Sequence, residues 1–285
     1  MKKSLKDKVV LITGAASGIG RLTALEMARQ GAKLVIWDIN ESALDAVCNE
    51  LDHAGTHKSH GYVCDISNRE AVYSVAEEVL KEVGAVDVLI NNAGIVSGKS
   101  ILEIPDEKIE LTFGVNTMAL FWTTKAFLPE MLRRDSGHIV TIASSAGLVG
   151  AAKLTDYCAS KWAAVGFDES LRMELRERSP GVKTTVVCPF FIDTGMFKGA
   201  TTRFPLILPI LKEKNVAQKI VNAVQTEKKQ LIMPGFVGIV PLMRVTPVWF
   251  FDAVADILGI NKSMEDFIGR KSATISDLNK RFRTG

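Results

Sequence analysis

Tyr157 and Lys161 stand at i and i+4 in the segment Tyr157-Cys158-Ala159-Ser160-Lys161, thirteen residues beyond Ser144. On a helix this spacing puts the phenol and the ammonium on one face, so their polar ends can meet in one site. A free phenol ionises near ~10, too high for an efficient base at neutral pH. Positive charge beside it favours phenolate and is expected to lower that value. Tyr157 could then take the proton of an alcohol and, in reverse, protonate a developing alkoxide, while Ser144 hydrogen-bonds the same oxygen. Taken alone, the Tyr–Lys pair reads better as a packed Tyr beside a surface Lys, because this spacing is common on helices. Other motifs decide between the readings.

The first of these is Thr13-Gly14-Ala15-Ala16-Ser17-Gly18-Ile19-Gly20, which follows an apolar run and opens a helical pattern at Arg21–Gln30. Glycines let a backbone turn tightly and approach a pyrophosphate, and the next helix offers unpaired N–H groups to it. A plain Gly-rich turn is the alternative, but the strand–turn–helix context favours a dinucleotide. Asp38 ends the second apolar run, Leu34-Val35-Ile36-Trp37, 18 residues after Gly20. A carboxylate there can accept both ribose hydroxyls of NAD and repels the 2′-phosphate of NADP, so NAD is expected and NADP disfavoured. Capping of the helix at Asn40-Glu41 is the other reading of Asp38. Arg21, the one nearby cation, is expected to be a solvated helix residue. Asn91-Asn92-Ala93-Gly94 follows the fourth apolar run, where an open parallel sheet binds ligands. With a cationic nicotinamide ring at hand, the Tyr157–Lys161–Ser144 set becomes a site for hydride and proton transfer between alcohol and carbonyl.

The elements that must position these residues are legible as alternation. Short apolar runs occur at Val9–Thr13, Lys33–Trp37, Tyr62–Cys64, Val86–Ile90, His138–Ala143, Lys183–Cys188 and Gln230–Met233. Amphipathic stretches lie between them near 18–30, 41–52, 68–83, 106–134, 155–178 and 214–227. Strands apolar on both faces and separated by helices predict a parallel sheet covered on both sides, with right-handed crossovers. No internal repeat or Ser/Gly linker divides the chain, so a single α/β domain is expected over 1–235, with a substrate lid at 195–212. A helical C-terminal extension, 236–285, is expected to pack on the same domain.

Composition excludes other classes. The 285 residues are 47% hydrophobic and 24% charged, with a formal charge of +3. This is a globular balance that gives no basis for nucleic-acid binding. The basic end, Lys280, Arg281 and Arg283, reads as a solvated tail. Four scattered cysteines without a CxxC suggest neither a zinc site nor a disulfide framework, and point to a reducing, cytoplasmic compartment. His53, His57 and His60 lack Cys or carboxylate partners at ligand spacing and are expected in a solvated loop, so no metal is expected. The apolar run after the charged N-terminus is too short for a signal-peptide core or a membrane span.

The motifs in their order and spacing, together with Pro189–Thr194, resemble the short-chain dehydrogenase/reductase family from about residue 8 to residue 235. The resemblance implies a Rossmann-like, doubly wound parallel sheet of seven strands in the order 3-2-1-4-5-6-7. It also implies a catalytic tetrad of Asn116, Ser144, Tyr157 and Lys161. Phe113-Gly114-Val115-Asn116-Thr117 matches the family's Asn position, whose backbone distorts its helix to hold a water joined to the Lys; from the residues alone Asn116 reads as a helix N-cap. For the cofactor it implies Gly14, Ser17, Gly18, Ile19 and Gly20 at the pyrophosphate, Asp38 with Ile39 at the adenosine ribose, and Asp65 and Ile66 at the adenine. Asn92, Ala93 and Gly94 belong to the adenosine side, Tyr157 and Lys161 to the nicotinamide ribose, and Pro189 and Thr194 to the carboxamide. Within the family, WDIN, GHIVTIAS, DYCASK, AAVGFDESL and VKTTVVCP resemble a branch of retinol dehydrogenases and 17β-hydroxysteroid dehydrogenases associated with membranes and lipid droplets.

The substrate side is apolar. Leu148, Val149, Leu154, Phe190, Phe191, Met196 and Phe197 are expected to line it, with Phe204–Leu211 as a lid, and the substrate residues proper are taken as Ser144, Leu154, Tyr157, Phe190, Phe191 and Met196. Such a pocket suits a lipophilic alcohol, ketone or aldehyde: a retinoid, a steroid or a long-chain alcohol. In the extension, Val248-Trp249-Phe250-Phe251 with Val254, Ile257 and Leu258 forms an amphipathic helix. Packing on the domain or a second subunit is the commoner fate of such a face, and docking on a membrane interface is the other reading. A homodimer is expected through the helices near 116–134 and 155–178, using Ala119, Leu120, Phe121, Ala163, Ala164 and Phe167, with the extension covering the last strand's edge. Two rivals stand beside this reading: an NADPH-dependent carbonyl reductase, and a non-catalytic lipid- or cofactor-binding scaffold on the same fold.

Overall fold

Apolar strands need cover on both faces, and here they receive it. The structure, a computed structural model, describes residues 2–269. Seven strands form one parallel sheet: β1 (Val9–Thr13), β2 (Lys33–Asp38), β3 (His60–Val63), β4 (Val88–Asn91), β5 (Gly137–Ile142), β6 (Val182–Pro189) and β7 (Gln230–Met233). Their order is β3-β2-β1-β4-β5-β6-β7. Every side chain of β1 is buried, as a central strand with helices on both sides requires.

The helices divide between the faces. On one side α1 (Gly18–Arg29), α2 (Glu41–Ala54) and α7 (Glu213–Gln225) bury Leu25, Leu44, Leu51 and Ile220 against Val10, Ile12 and Ile36. On the other, α3 (Arg69–Glu82), α5 (Ala119–Arg133) and α6 (Thr155–Arg178) bury Val72, Phe127 and Leu171 against Leu11, Leu89 and Ile139. Asn40 and Asn68 cap α2 and α3, accepting from Ala43 N and Ala71 N. The stretch expected as one helix over 106–134 is interrupted. α4 (Asp106–Phe113) passes through a π-helical turn, Gly114–Met118, before α5 begins.

Two expectations about peripheral residues are corrected. The histidines do not share a solvated loop. α2 runs past residue 52 to Ala54, so His53 is helical, with Nδ1 2.6 Å from the Asn49 carbonyl, and β3 begins early enough to include His60. Only His57 lies in the connection, 2.9 Å from Asp7. Among the described residues no group of His, Cys, Asp and Glu could hold a metal.

The second correction concerns the extension, of which residues 270–285, with Lys280, Arg281 and Arg283, lie outside the described set. A short turn at Gly235–Ile239 leads into α8 (Val240–Met243), α9 (Val248–Ile257) and a turn at Ile260–Lys262. This path leaves β7 and crosses the substrate end of the sheet instead. The Thr201 amide donates to the Ser263 carbonyl at 2.9 Å, and the Ile268 amide to the Lys198 carbonyl at 2.9 Å. Phe267 occupies the space a side chain at Gly98 would need. Val237, Met264 and Phe267 thereby join Leu148, Leu154, Phe190 and Phe191 in a third apolar cluster. Among the described residues β7 pairs only with β6, so this segment adds no strand to its outer edge. The apolar surface near Phe190 offers these side chains burial that a strand edge cannot.

Candidate active site

The tip of β1 must pass very close to the tip of β4, its hydrogen-bonded neighbour. Gly14 (φ 64°) meets this demand, since a Cβ there would stand 2.7 Å from the Ala93 Cα. Gly20 is equally constrained: a side chain would run into the Gly14 carbonyl and the Asn92 amide. Asn92 Nδ2 donates to the carbonyls of Thr13 and Gly14 at 2.9 and 3.0 Å and so fixes the loop. Thr13 Oγ1 in turn accepts from the Asn92 and Ala93 amides at 3.0 and 3.1 Å. Sequence reasoning passed over Thr13; its signal was a hydroxyl at the end of the strand next to Asn92. The first turn of α1 carries no acidic side chain, which leaves its amide end favourable to an anion.

Asp38 lies beside this loop. Its Oδ2 accepts from the Ala16 amide at 3.0 Å and its Oδ1 from the Asn40 amide at 3.0 Å, while the cap of α2 is Asn40 itself. The capping alternative for Asp38 therefore falls away. Arg21 is not simply solvated: its guanidinium grips Glu50 at 2.7 and 2.5 Å, which turns it toward α2. Asp65 Oδ1 holds the Ser67 amide and hydroxyl at 2.9 and 2.7 Å.

At the other end, β5 delivers Ser144 and α6 delivers Tyr157 and Lys161. All three are buried, as is Asn116. Ser144 Oγ accepts from the Ala146 amide at 3.1 Å and donates to the Pro189 carbonyl at 3.4 Å, and its hydroxyl lies on the phenol's side of the site, where it favours the ionised phenol. Lys161 Nζ donates to the Ile142 carbonyl at 2.9 Å and lies 5.7 Å from the Tyr157 ring centre. Burial pulls the Lys161 ammonium down to about 8. The phenol moves the opposite way from the sequence expectation. Burial pushes it above its ordinary value, and the Ser144 hydroxyl only partly opposes this. The Lys161 charge is directed at the Ile142 carbonyl, so the protein alone does not favour phenolate.

Asn116 is not an N-cap. It sits inside the π-helical turn, where Oδ1 accepts from the Ile95 amide and Nδ2 donates to the Ile95 carbonyl, both at 2.9 Å, and to Ser160 Oγ at 3.0 Å. It thus ties the segment after Gly94 to α6. Asp156, unremarked in the sequence, does the same from the next turn, accepting from Ser97 Oγ at 2.7 Å and Thr112 Oγ1 at 3.0 Å.

One cleft of about 360 Å³ runs between the two ends. Its walls include Gly14, Ser17 to Gly20, Asp38, Ile39, Asp65, Ile66, Asn92 to Gly94, Ser144, Tyr157, Lys161, Pro189, Phe190, Thr194 and Met196. Leu154 and Phe191 are not among the lining residues; both turn into the third apolar cluster. Phe197 takes the place beside the phenol, its ring 5.6 Å from that of Tyr157. Ile95, Leu111 and Val115 line the cleft as well, although no local pattern marked them. Glycines where side chains would obstruct the loop, bare helix amides and a carboxylate beyond them fit an extended dinucleotide, with its reactive ring toward Tyr157.

Fold and site together define a nicotinamide-dependent oxidoreductase. The chain belongs to the short chain dehydrogenase family, whose profile matches residues 8–203. It is 50% identical over 275 residues to epidermal retinol dehydrogenase 2 of Mus musculus, covering 96% of this chain and 89% of the relative. Among solved structures, it resembles a short-chain dehydrogenase/reductase from Burkholderia phymatum in complex with NAD. That likeness has a TM-score of 0.76 and 30% identity, over 90% of this chain and 97% of the other. An alcohol dehydrogenase from Thermococcus sibiricus complexed with 5-hydroxy-NADP is similar with a TM-score of 0.71 and 26% identity, over 80% and 96% of the two chains.

Proposed function

We propose that the protein interconverts a lipophilic alcohol and its carbonyl compound with NAD, and that Ser144, Tyr157 and Lys161 carry the reaction. The carrying observation is that Ser144, Tyr157 and Lys161 come together at an otherwise apolar end of the cleft formed by Phe190, Met196 and Phe197. The nicotinamide, when bound, supplies the hydride acceptor. Tyr157 takes the hydroxyl proton as the carbon–hydrogen bond breaks, and Ser144 holds the substrate oxygen in line. Lys161, anchored on the Ile142 carbonyl, contributes positive charge at the phenol's side of the cleft. Asn116 and Asp156 keep α6 in register with the loop after Gly94.

Asp38 supports NAD over NADP, because a carboxylate at the ribose position would repel a 2′-phosphate, and Arg21, the cation near the glycine loop, is engaged by Glu50. The apolar recess and the name of the mouse relative together favour a retinoid-like alcohol. Mixing the protein with NAD and a panel of retinoid, steroid and long-chain alcohols, and following NADH absorbance, tests the reading. Turnover should be selective for lipophilic alcohols. NADPH-driven reduction that outpaces every NAD reaction would refute it, as would cofactor binding without turnover.

Two partner surfaces belong to the same reading. No helix among the described residues is long and apolar enough to cross a membrane. α8 and α9 nonetheless expose Leu242, Val245, Val248 and Trp249, with Leu206 of the lid fully exposed. Exposed apolar side chains of this number on one short segment support peripheral contact with a lipid surface, from which a lipophilic substrate would enter. For the homodimer, Ala119, Leu120 and Ala164 are consumed by the protein's own core. Met118, Phe121 and Met173 remain exposed on α5, α6 and the turn between α4 and α5, and form the revised seam.

A further inference from the structure

Arg244, just beyond α8, is the point where the C-terminal extension grips the catalytic half of the molecule. Its Nε and Nη2 both donate to the Leu148 carbonyl, at 3.2 and 3.0 Å. The guanidinium lies between two rings, 4.4 Å from the centre of Trp162 and 5.1 Å from that of Phe251. Each contact falls on a different part of the site. Leu148 ends the short helical turn Ser145–Gly147 that begins at Ser144. Trp162 adjoins Lys161 on α6, and Phe251 belongs to α9. The turn itself rests on α6, because Gly147 packs against the Lys161 carbonyl so closely that no side chain would fit.

We propose that Arg244 is a positioning residue: it clamps the Ser144 turn onto the helix bearing Tyr157 and Lys161, with the extension as the backing plate. The proposal rests on the catalytic reading of those three residues. A planar guanidinium is suited to this task, since it can donate twice in its plane while both faces stack on aromatic rings. A lysine ammonium lacks the planar fork and the two flat faces, so it cannot hold the paired donation and both ring contacts at once. The same side chain joins the exposed apolar face around Val245 and Trp249 to the hydroxyl that orients the substrate, so a disturbance of that face has a short route to the chemistry.

Full-length Arg244→Met and Arg244→Lys proteins test the clamp through two readouts. The amides of Gly147, Leu148 and Val149 bond within the turn, to the carbonyls of Ser144 and Ser145. In Arg244→Met their hydrogen exchange should accelerate about tenfold, with amides of β1 and β4 unchanged. With a lipophilic alcohol, kcat should fall about tenfold while the KM for NAD stays within about twofold, and Arg244→Lys should recover little of either. Wild-type exchange in the turn overturns the proposal, as does acceleration spread evenly into β1 and β4. Faster exchange with wild-type kcat, or full rescue by lysine, removes the positioning role. If the wild-type chain turns over no alcohol, the catalytic reading fails on its own, and the exchange comparison still decides whether the clamp exists.

Discussion

Tyr157 is buried with its hydroxyl against Ser144, and burial raises its ionisation while Lys161 is lowered to about 8 by the same cause. Burial thus shifts both groups toward their neutral forms, but at about 8 Lys161 still carries most of its charge at neutral pH; that charge is directed at the Ile142 carbonyl, and the oxidised cofactor would bring further positive charge to the phenol. Tyr157→Phe should abolish turnover and leave NAD affinity within a few-fold, because the cofactor is held mainly at the glycine loop and Asp38. Single-turnover kinetics alongside a binding titration would check this; a variant keeping most of its kcat would disprove the assignment. Asp38→Ser should lower kcat/KM with NAD and raise it with NADP, by about tenfold or more in their ratio. A wild type already favouring NADP would end the argument. Some loss with both cofactors is also expected, since Asp38 anchors the Ala16 amide.

At the scale of the element, α6 carries a cost along with the site. Asp168 is buried on the face that meets β6, where Thr184 Oγ1 donates to it at 3.2 Å. Burial raises its carboxyl to about 7, with Thr184 and Thr141 pulling the other way. An unfolded Asp titrates near ~3.9. Between the two values the folded state binds more protons than the unfolded one, so this group's contribution to stability is full below about pH 4 and is lost as pH rises through about 7. Asp168→Asn should therefore be more stable than wild type at about pH 8, by an amount on the order of 1–3 kcal/mol, and the gap should close toward about pH 4. Urea midpoints for both proteins across that window measure it, and a constant gap would show that the Asp168 charge is not the cause.

For the whole molecule, the exposed apolar surfaces divide into two. Phe121 packs edge-on against Phe167 at 4.8 Å, and Met118, Phe121 and Met173 are exposed on the long central helices and the turn before them. Light scattering without detergent should give about twice the 31.1 kDa chain mass. With no strand of residues 236–269 paired to β7, a tetramer would indicate that this strand also pairs between copies. The other surface, on α8 and α9, should carry the protein to lipid. In flotation with neutral phosphatidylcholine vesicles, Val248→Asp combined with Trp249→Asp should shift the protein from the floated to the free fraction. Equal flotation of both proteins would rule the face out.

Much of this was open to reading before any coordinates, for a local reason. A strand buried on both faces must be apolar throughout, a glycine loop must follow it, and residues four apart on a helix share a side. Seven strands, the glycine loop, Asp38 and the Ser144–Tyr157–Lys161 neighbourhood therefore stood in the spacing of the chain itself, while the order of the strands came only with the family resemblance. What depended on contacts between distant segments did not. Asn116 acquires its place from Ile95 and Ser160, and so became part of a π-helical turn that no local pattern distinguishes from a helix cap. Leu154 and Phe191 are as apolar as the cleft residues, and only packing turned them into the core while Phe197 took the position over the phenol. The direction of the Tyr157 shift depends on how completely it is buried and on where Lys161 points. The extension's path over Gly98 and Leu148 was decided by which apolar surface remained uncovered once the sheet had formed, a quantity that exists only in three dimensions.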